Sequence, residues 1–418
     1  MKKNRTTKEE SKAPVHHVPE SREERVRLLQ QGLSELQGEV LRLMAEQLLL
    51  AEVEELCGAR YERVEGRAGY RYGRQPGVMT AAGQRQSVSR PRVRTKDGKE
   101  RPLEHYRLLN DPDAMGAASL RRMLRGVSTR NYAEVIEPFS EGYGVSRSNI
   151  SRAFARGSEA ELEKLLGRRF EGVRFVAIMI DGIEFQGTTL VCVLGVTEDG
   201  TKRILGLREG ATENSVVVTE LLADIRERGV DTTQATLFIL DGAKALKKAV
   251  VNVWGDRALI QRCRVHKKRN IKRHLSERHW QELDKRLALA WSGEDYQQGM
   301  KSLETTARWL ERLAPDAAKS LQEGMEETMT LVRLGCPAEL RRSLSSTNLI
   351  ESAFSVAADV TRRVKRWRDG SMRLRWCASG LLRAEAQFRK IRGCSELQKL
   401  VRALDKCTAN VDASRNAA

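Results

Sequence analysis

The chain has 418 residues, 40% of them hydrophobic, enough for two or three domains with cores of their own. Its formal net charge of +18 and isoelectric point near 9.8 point to a polyanionic partner, nucleic acid before membrane. No apolar run reaches the roughly 18 residues of a membrane span, the N-terminus lacks the apolar core of a signal peptide, and seven scattered cysteines argue against a disulfide framework, so a cytoplasmic, nucleoid-associated protein is expected.

Residues 1–20 are polar and read as disordered. Residues 21–58 read as one long helix. In it Leu29, Leu33, Leu36, Val40 and Leu43 step by four and three, about two heptads. That makes it a candidate dimerisation segment, although a helix packed in a bundle explains the pattern more simply. Residues 59–110 change character: ten Lys and Arg stand against three acids from Arg71 to Asn110. Short strands with turns such as "KDGK" are expected, a basic β-rich segment that contacts DNA. Arg with interleaved Tyr suits phosphate contact and stacking; a solvated charged sheet explains it nearly as well.

Residues 111–165 read as a helix-turn-helix, with Ser128 and Ser146 as N-caps. Val145, Ile150 and Phe154 form the inner face of its second helix. Arg147, Ser148, Asn149 and Arg152 face outward, as a recognition helix presents polar side chains to the major groove. An ordinary helical hairpin is the competing reading.

Residues 170–275 carry strands at 174–181, 187–197, 202–208, 235–241 and 257–262, with a helix over 213–229. Three strands joined by short turns, then alternation with helices, predict a mixed α/β sheet whose first and fourth strands lie side by side and parallel. Residues 276–340 read as helical throughout, with a break at Pro315. Residues 341–395 hold the helix of "SSTNLIESAFSVAADVTRRV" and basic helices after it. Residues 396–418 read as a tail, frayed beyond about Asp405.

Two of the strands run into Asp-Gly, at Asp181 and at Asp241. Asp-Gly is first of all a hairpin signal. After Gly242, however, the apolar residues fall at helical spacing, so Asp241 stands where a strand hands over to a helix, the place where open α/β sheets bind ligands. Two adjacent carboxylates repel unless a cation lies between them, and oxygen-only ligands suit Mg²⁺ or Mn²⁺. Glu351 is the candidate third carboxylate, on a helix with Ile350, Ala353, Phe354 and Ala357 as its apolar face. Asn348 and Glu351 also have capping-box spacing, which gives Glu351 a purely structural alternative.

Arg262, Arg264, Lys267, Lys268, Arg269, Lys272 and Arg273 form a run without an acid. Arg362, Arg363, Lys365, Arg366, Arg368, Arg373 and Arg375 form a second basic run, interrupted by one acid, Asp369. Both are expected to point to solvent and to bind phosphates. Trp367 and Trp376 lie in or beside the second run; they either stack on unpaired bases or pack between helices. The spacing of Cys263 and His266 with the later histidines does not suit tetrahedral zinc.

The stretches "IDGIEF", "LFILDGAKALKKAV", "ALIQRCRVHKKRN" and "SSTNLIESAFS" resemble the mutator-type bacterial insertion-sequence transposases, and the likeness extends over roughly residues 60–395. The resemblance implies a multidomain α+β chain. Its catalytic core would be RNase H-like, a mixed five-stranded α/β sheet interrupted by an all-helical insertion. A helical and β N-terminal region with a helix-turn-helix would precede it. It implies that Asp181, Asp241 and Glu351 are the catalytic, metal-holding DDE triad, with two Mg²⁺ or Mn²⁺ ions per site, and that Cys263 and His266 are a signature beside it. The function implied is a DNA transposase that binds the ends of its insertion sequence and carries out metal-dependent cleavage and strand transfer, as a homodimer on double-stranded DNA. A helix-turn-helix regulator, or a metal-dependent nuclease without strand transfer, are the alternatives. The regulator needs no acid triad; the nuclease shares it, and joining of the cut end separates the two.

Overall fold

The computed structural model describes residues 22–62, 65–81, 84–111, 120–125, 147–185, 187–212, 214–362, 364, 367 and 370–416. They fall into two compact units, the first within residues 1–118 and 129–150, the second within 119–128 and 151–418. The disordered reading of residues 1–20 and the first helix and turn of the helix-turn-helix lie outside the described residues.

In the first unit, helix α1 (Arg22–Cys57) packs across a hairpin of β1 (Tyr70–Ala81) and β2 (Gln84–Arg94). Leu49, Val53, Cys57, Val93 and Leu103 form one small core, and Ala45, Met79 and Val88 a second. The strands are long rather than short. The "KDGK" turn forms as expected: Gly98 has φ 81° and Thr95 N–H donates to Lys99 O at 2.9 Å. It returns the chain to a two-residue strand, β3 (Glu100–Arg101), and then to α2 (Glu104–Leu109), which the sequence reading missed. That short helix has no cap of its own; the buried Glu52 carboxylate accepts the Glu104 and His105 amides at 2.6 and 2.9 Å. Leu36, Val40 and Leu43 of the heptad-like series are exposed.

In the second unit, the chain enters from α3 (Arg147–Leu166). Five strands follow: β4 (Phe175–Phe185), β5 (Thr188–Thr197), β6 (Lys202–Glu209), β7 (Thr236–Leu240) and β8 (Ala258–Arg262). Their order in the sheet is β6-β5-β4-β7-β8, with β4, β7 and β8 parallel and β5 and β6 antiparallel. The expected mixed sheet therefore forms, with its first and fourth strands adjacent. Between β6 and β7 runs α4 (Ser215–Glu227), capped by Asn214, and between β7 and β8 runs α5 (Lys244–Trp254).

Strand alternation sorts the apolar residues to two faces. Ile178, Ile180, Phe238 and Leu240 pack under α4 and α5. Ala177, Met179, Cys192, Leu237 and Ile239 pack under α12 (Asn348–Thr361), α13 (Gly370–Glu385) and α14 (Leu397–Asn416). The tail is thus corrected: Leu397, Leu400, Val401 and Leu404, at helical spacing, belong to this core.

Beyond β8 come α6 (Arg264–Arg273) and the helical insertion of α7 (Trp280–Ser292), α8 (Tyr296–Glu311), α9 (Pro315–Gln322), α10 (Thr330–Arg333) and α11 (Ala338–Leu344). The insertion has its own core, including Leu283, Leu287, Leu303, Leu310 and Leu321. Pro315 opens α9 at its first turn, where a missing N–H costs nothing.

Candidate active site

Asp181 does not end its strand. β4 continues to Phe185 and Asp181 pairs with Cys192, so the hairpin turn falls at Gly187, φ 76°, and not at Asp181-Gly182. Gly182 serves packing, since a Cβ there would lie 2.7 Å from Thr212 Cγ2. Asp241 immediately follows β7, as expected. Gly242 has φ 110°, and a Cβ on it would lie 2.4 Å from Arg262 Nε. The two Asp-Gly pairs therefore look alike in sequence and arise from different needs.

Met179 pairs with Ile239. The same register, carried two residues further, sets Asp181 opposite Asp241 on strands roughly 5 Å apart. By alternation both side chains share the face of Ala177, Met179, Leu237 and Ile239, which α12 covers through Ile350, Ala353, Phe354 and Ala357. Glu351 is the residue between Ile350 and that apolar row. Sheet register and helix phase together bring the three acids to one place.

Electrostatics report the same proximity. Burial pushes the Asp181 carboxyl up to about 6; His266 works against the rise, and Asp241 and Glu351 add to it. Gly182 N–H donates to Asp181 Oδ1 at 2.9 Å and Ala243 N–H to Asp241 Oδ1 at 2.8 Å. Glu351 Oε1 accepts from Thr347 Oγ1 at 2.9 Å and lies 3.8 Å from His266 Nε2. The capping-box alternative for Glu351 is not formed, because Thr347, not Asn348, is the N-cap, and its hydroxyl meets the Glu351 side chain. Cys263 and His266 stand directly behind: Thr347 Oγ1 is 3.6 Å from Cys263 Sγ and 3.5 Å from His266 Nδ1. Burial alone would raise the Cys263 thiol, but hydrogen bonds with His266 and Thr347 outweigh it and lower it. The bond with Cys263 pushes the His266 imidazole up.

Three carboxylates suit a hard divalent cation, and such an ion is what relieves their mutual repulsion. Among the described residues, no group of three or more His, Cys, Asp or Glu side chains is arranged to hold a metal as it stands. The donor chemistry of three carboxylates is what suits such an ion.

A pH dependence follows. In chelator-treated protein, Asp181 is expected to lower stability as pH rises from about 4 to about 6. Its folded pKa lies above its ordinary 3.8, so the folded state holds the proton longer and loses that advantage on ionisation. The span is about 3 kcal/mol. Urea unfolding of wild type and Asp181→Asn between pH 4 and 7 checks it; equal slopes for the two would contradict it.

The basic residues divide. Arg262, Arg264 and Lys267 are buried, against the expectation that this run points to solvent. Lys267 Nζ donates to Ser320 O and Glu323 O at the end of α9. Arg264 donates to Thr328 O at 3.0 Å and Trp291 O at 3.3 Å, and Arg262 to Glu323 O at 3.1 Å. These cations tie the insertion to the sheet. Lys268 and Lys272 pair with Asp284 at 3.5 and 2.8 Å, while Arg269 and Arg273 are exposed.

In the second run Arg362 is exposed; Arg363, Lys365, Arg366 and Arg368 lie outside the described residues. Trp376 is buried, 4.3 Å from Phe154, and Trp367 is 5.6 Å from Phe185, centroid to centroid, so the structure places both in packing. On α3, Arg152 is exposed; the side chains of Arg147, Ser148 and Asn149 lie outside the described residues. In the hairpin, Arg94 lies over the Tyr72 ring at 3.5 Å, and Arg90 and Arg92 pair with Glu100 at 2.9 and 2.7 Å. Thr347 was missed by sequence reasoning; its place four residues before Glu351, one helical turn, was the available signal.

A family model described as "Transposase, Mutator family" matches residues 14–369. The chain belongs to that family. It is 27% identical over 327 residues to the transposase for insertion sequence element ISRM5 of Rhizobium meliloti (strain 1021), covering 75% of this chain and 78% of that protein. It is 30% identical over 176 residues to the transposase for IST2 of Acidithiobacillus ferrooxidans, covering 42% and 58%. It is 29% identical over 256 residues to the transposase for IS1201 of Lactobacillus helveticus, covering 58% and 64%. No helix among the described residues is long and apolar enough to cross a membrane.

Proposed function

We propose that this chain binds the ends of an insertion sequence and cuts and joins DNA there, with Asp181, Asp241 and Glu351 as a DDE triad in an RNase H-like core. The observation that carries this reading is the convergence of the three acids on one sheet face, two from adjacent parallel strands and one from the helix that covers them. Asp181, Asp241 and Glu351 are the residues that would hold Mg²⁺ or Mn²⁺. When bound, a pair of such ions supplies activation of water or a 3′-hydroxyl and stabilisation of the leaving oxygen.

The chain's own groups prepare the site. The amides of Gly182 and Ala243 each fix one oxygen of an Asp, and Thr347 fixes one oxygen of Glu351. Burial of Asp181 beneath α12 limits competing water. The net charge of +18 favours DNA along the chain. Arg147, Ser148, Asn149 and Arg152 are proposed to read the element ends, and Lys268, Arg269, Lys272, Arg362, Arg363, Lys365 and Arg366 to hold phosphates. A homodimer on DNA fits the exposed, heptad-spaced Leu36, Val40 and Leu43 of α1.

The test is a reaction of the full chain with labelled DNA carrying the element's terminal repeats, an unlabelled target duplex and Mg²⁺. Cleavage at the repeat ends and label joined to target are expected, both lost with chelator. Binding without cleavage would favour a regulator, and cleavage without joining a nuclease.

A further inference from the structure

We propose that Thr347 is a positioning residue for the active site, holding Glu351 by one carboxylate oxygen so that the other is presented to an incoming divalent cation. The inference rests on the reading of Glu351 as a metal-holding residue and deepens it.

Thr347 is marked first by a bond it does not make. It occupies the N-cap of α12, where a threonine hydroxyl ordinarily accepts an amide N–H from the first helical turn. Here the hydroxyl makes no such bond. The Thr347 carbonyl accepts the Ile350 and Glu351 amides at 3.0 Å each, so the backbone alone starts the helix. The hydroxyl is left for side chains, and the residue is fully buried.

Its single proton goes to the nearest acceptor, Glu351 Oε1, at 2.9 Å. Cys263 Sγ, at 3.6 Å, is a more distant second acceptor for the same hydroxyl, and His266 Nδ1 lies 3.5 Å away. The other nitrogen of that imidazole is 3.8 Å from the same Oε1. Hydroxyl and imidazole therefore converge on one oxygen of Glu351, leaving Oε2 to meet a cation beside Asp181 and Asp241.

The backbone holds the hub rigid. Cys263 N–H donates to Leu240 O at 2.7 Å, one residue before Asp241. Arg264 N–H donates to Ser345 O at 2.9 Å, two residues before Thr347. The loop that begins the Glu351 helix is thereby bonded to the end of β8, and β8 to the end of β7. Cys263 and His266, which the triad leaves without a task, become the wall against which Thr347 sets Glu351. Partners behind metal-holding side chains typically matter by about 10- to 100-fold in metal affinity or activity.

The experiment compares Thr347→Val, which keeps shape and loses the hydroxyl, with Thr347→Ser, which keeps the hydroxyl, in the full chain. Mn²⁺ binding without DNA is read by calorimetry, and half-saturating Mn²⁺ and kcat by cleavage of repeat-end DNA. Thr347→Val is expected to bind Mn²⁺ about tenfold more weakly and to raise the half-saturating concentration alike. Its metal-free unfolding midpoint should stay near wild type, because the hydroxyl caps nothing. Thr347→Ser should restore binding to within about twofold. Wild-type Mn²⁺ binding in Thr347→Val, or a loss that Thr347→Ser does not repair, would overturn the proposal. Glu351→Gln separates the two levels. Weakened Mn²⁺ binding there with unchanged binding in Thr347→Val overturns the positioning role alone, whereas unchanged binding in Glu351→Gln overturns both.

Discussion

Replacing Asp181, Asp241 or Glu351 with Ala is expected to slow cleavage of repeat-end DNA by at least about 10³-fold, equivalent to about 4 kcal/mol of transition-state stabilisation. Each substitution removes one of the three carboxylates placed at the sheet face that α12 covers. Residues that act as one unit are not additive, so a double variant should be little slower than a single one. DNA affinity should hold or rise slightly, since each change deletes a negative charge near the substrate. Single-turnover cleavage with saturating protein separates the chemical step from binding. A variant that cuts within tenfold of wild type would remove that acid from the triad.

Replacing Lys267 with Met is expected to destabilise the second unit by about 2–4 kcal/mol and to leave the salt dependence of DNA binding unchanged. The Lys267 ammonium is buried and satisfies two carbonyls at the C-terminal end of α9. Cations are favoured at that end of a helix, where carbonyls lack intrahelical donors. Burial holds the amine down to about 8, with Arg262 adding to the shift, a cost the native state bears to keep those carbonyls bonded. Arg341 does the same at the end of α7, donating to Ser292 O at 2.9 Å and Gly293 O at 3.0 Å. Met fills the volume but leaves the carbonyls without donors. Urea unfolding and a salt titration of DNA binding check both parts. Unchanged stability with a salt slope reduced by about one would instead mark Lys267 as a phosphate contact.

The sheet was legible because its strands are dense in Val, Ile and Leu and flanked by turn residues. The parallel neighbours β4 and β7 followed from the chain order. Asp241 was legible because helical spacing begins just after it. Asp181 was placed in the right sheet for a partly wrong reason: antiparallel pairing with β5 carries β4 on to Phe185, through the strand-like Ile183-Glu184-Phe185, and not to a stop at Asp181. Lys267 was misread because a basic run looks the same whether its side chains meet water or the carbonyl ends of helices fifty residues on. The fate of a cation depends on which helix ends approach it, a tertiary fact. Thr347 was passed over for a related reason. The spacing suggests a cap, and only the N-cap geometry reveals that the hydroxyl is committed elsewhere. The C-terminal helix, by contrast, could have been read from Leu397, Leu400, Val401 and Leu404, whose spacing is plainly helical.

The proposed triad requires three acids, from β4, the end of β7 and α12, to hold one divalent cation together. Anomalous diffraction from crystals of the full chain soaked in Mn²⁺ tests it without reliance on any activity. Density bounded by the carboxylates of Asp181, Asp241 and Glu351 is expected, lost in Asp241→Ala. Mn²⁺ bound elsewhere with nothing among these three, or density there that persists in Asp241→Ala, would contradict it.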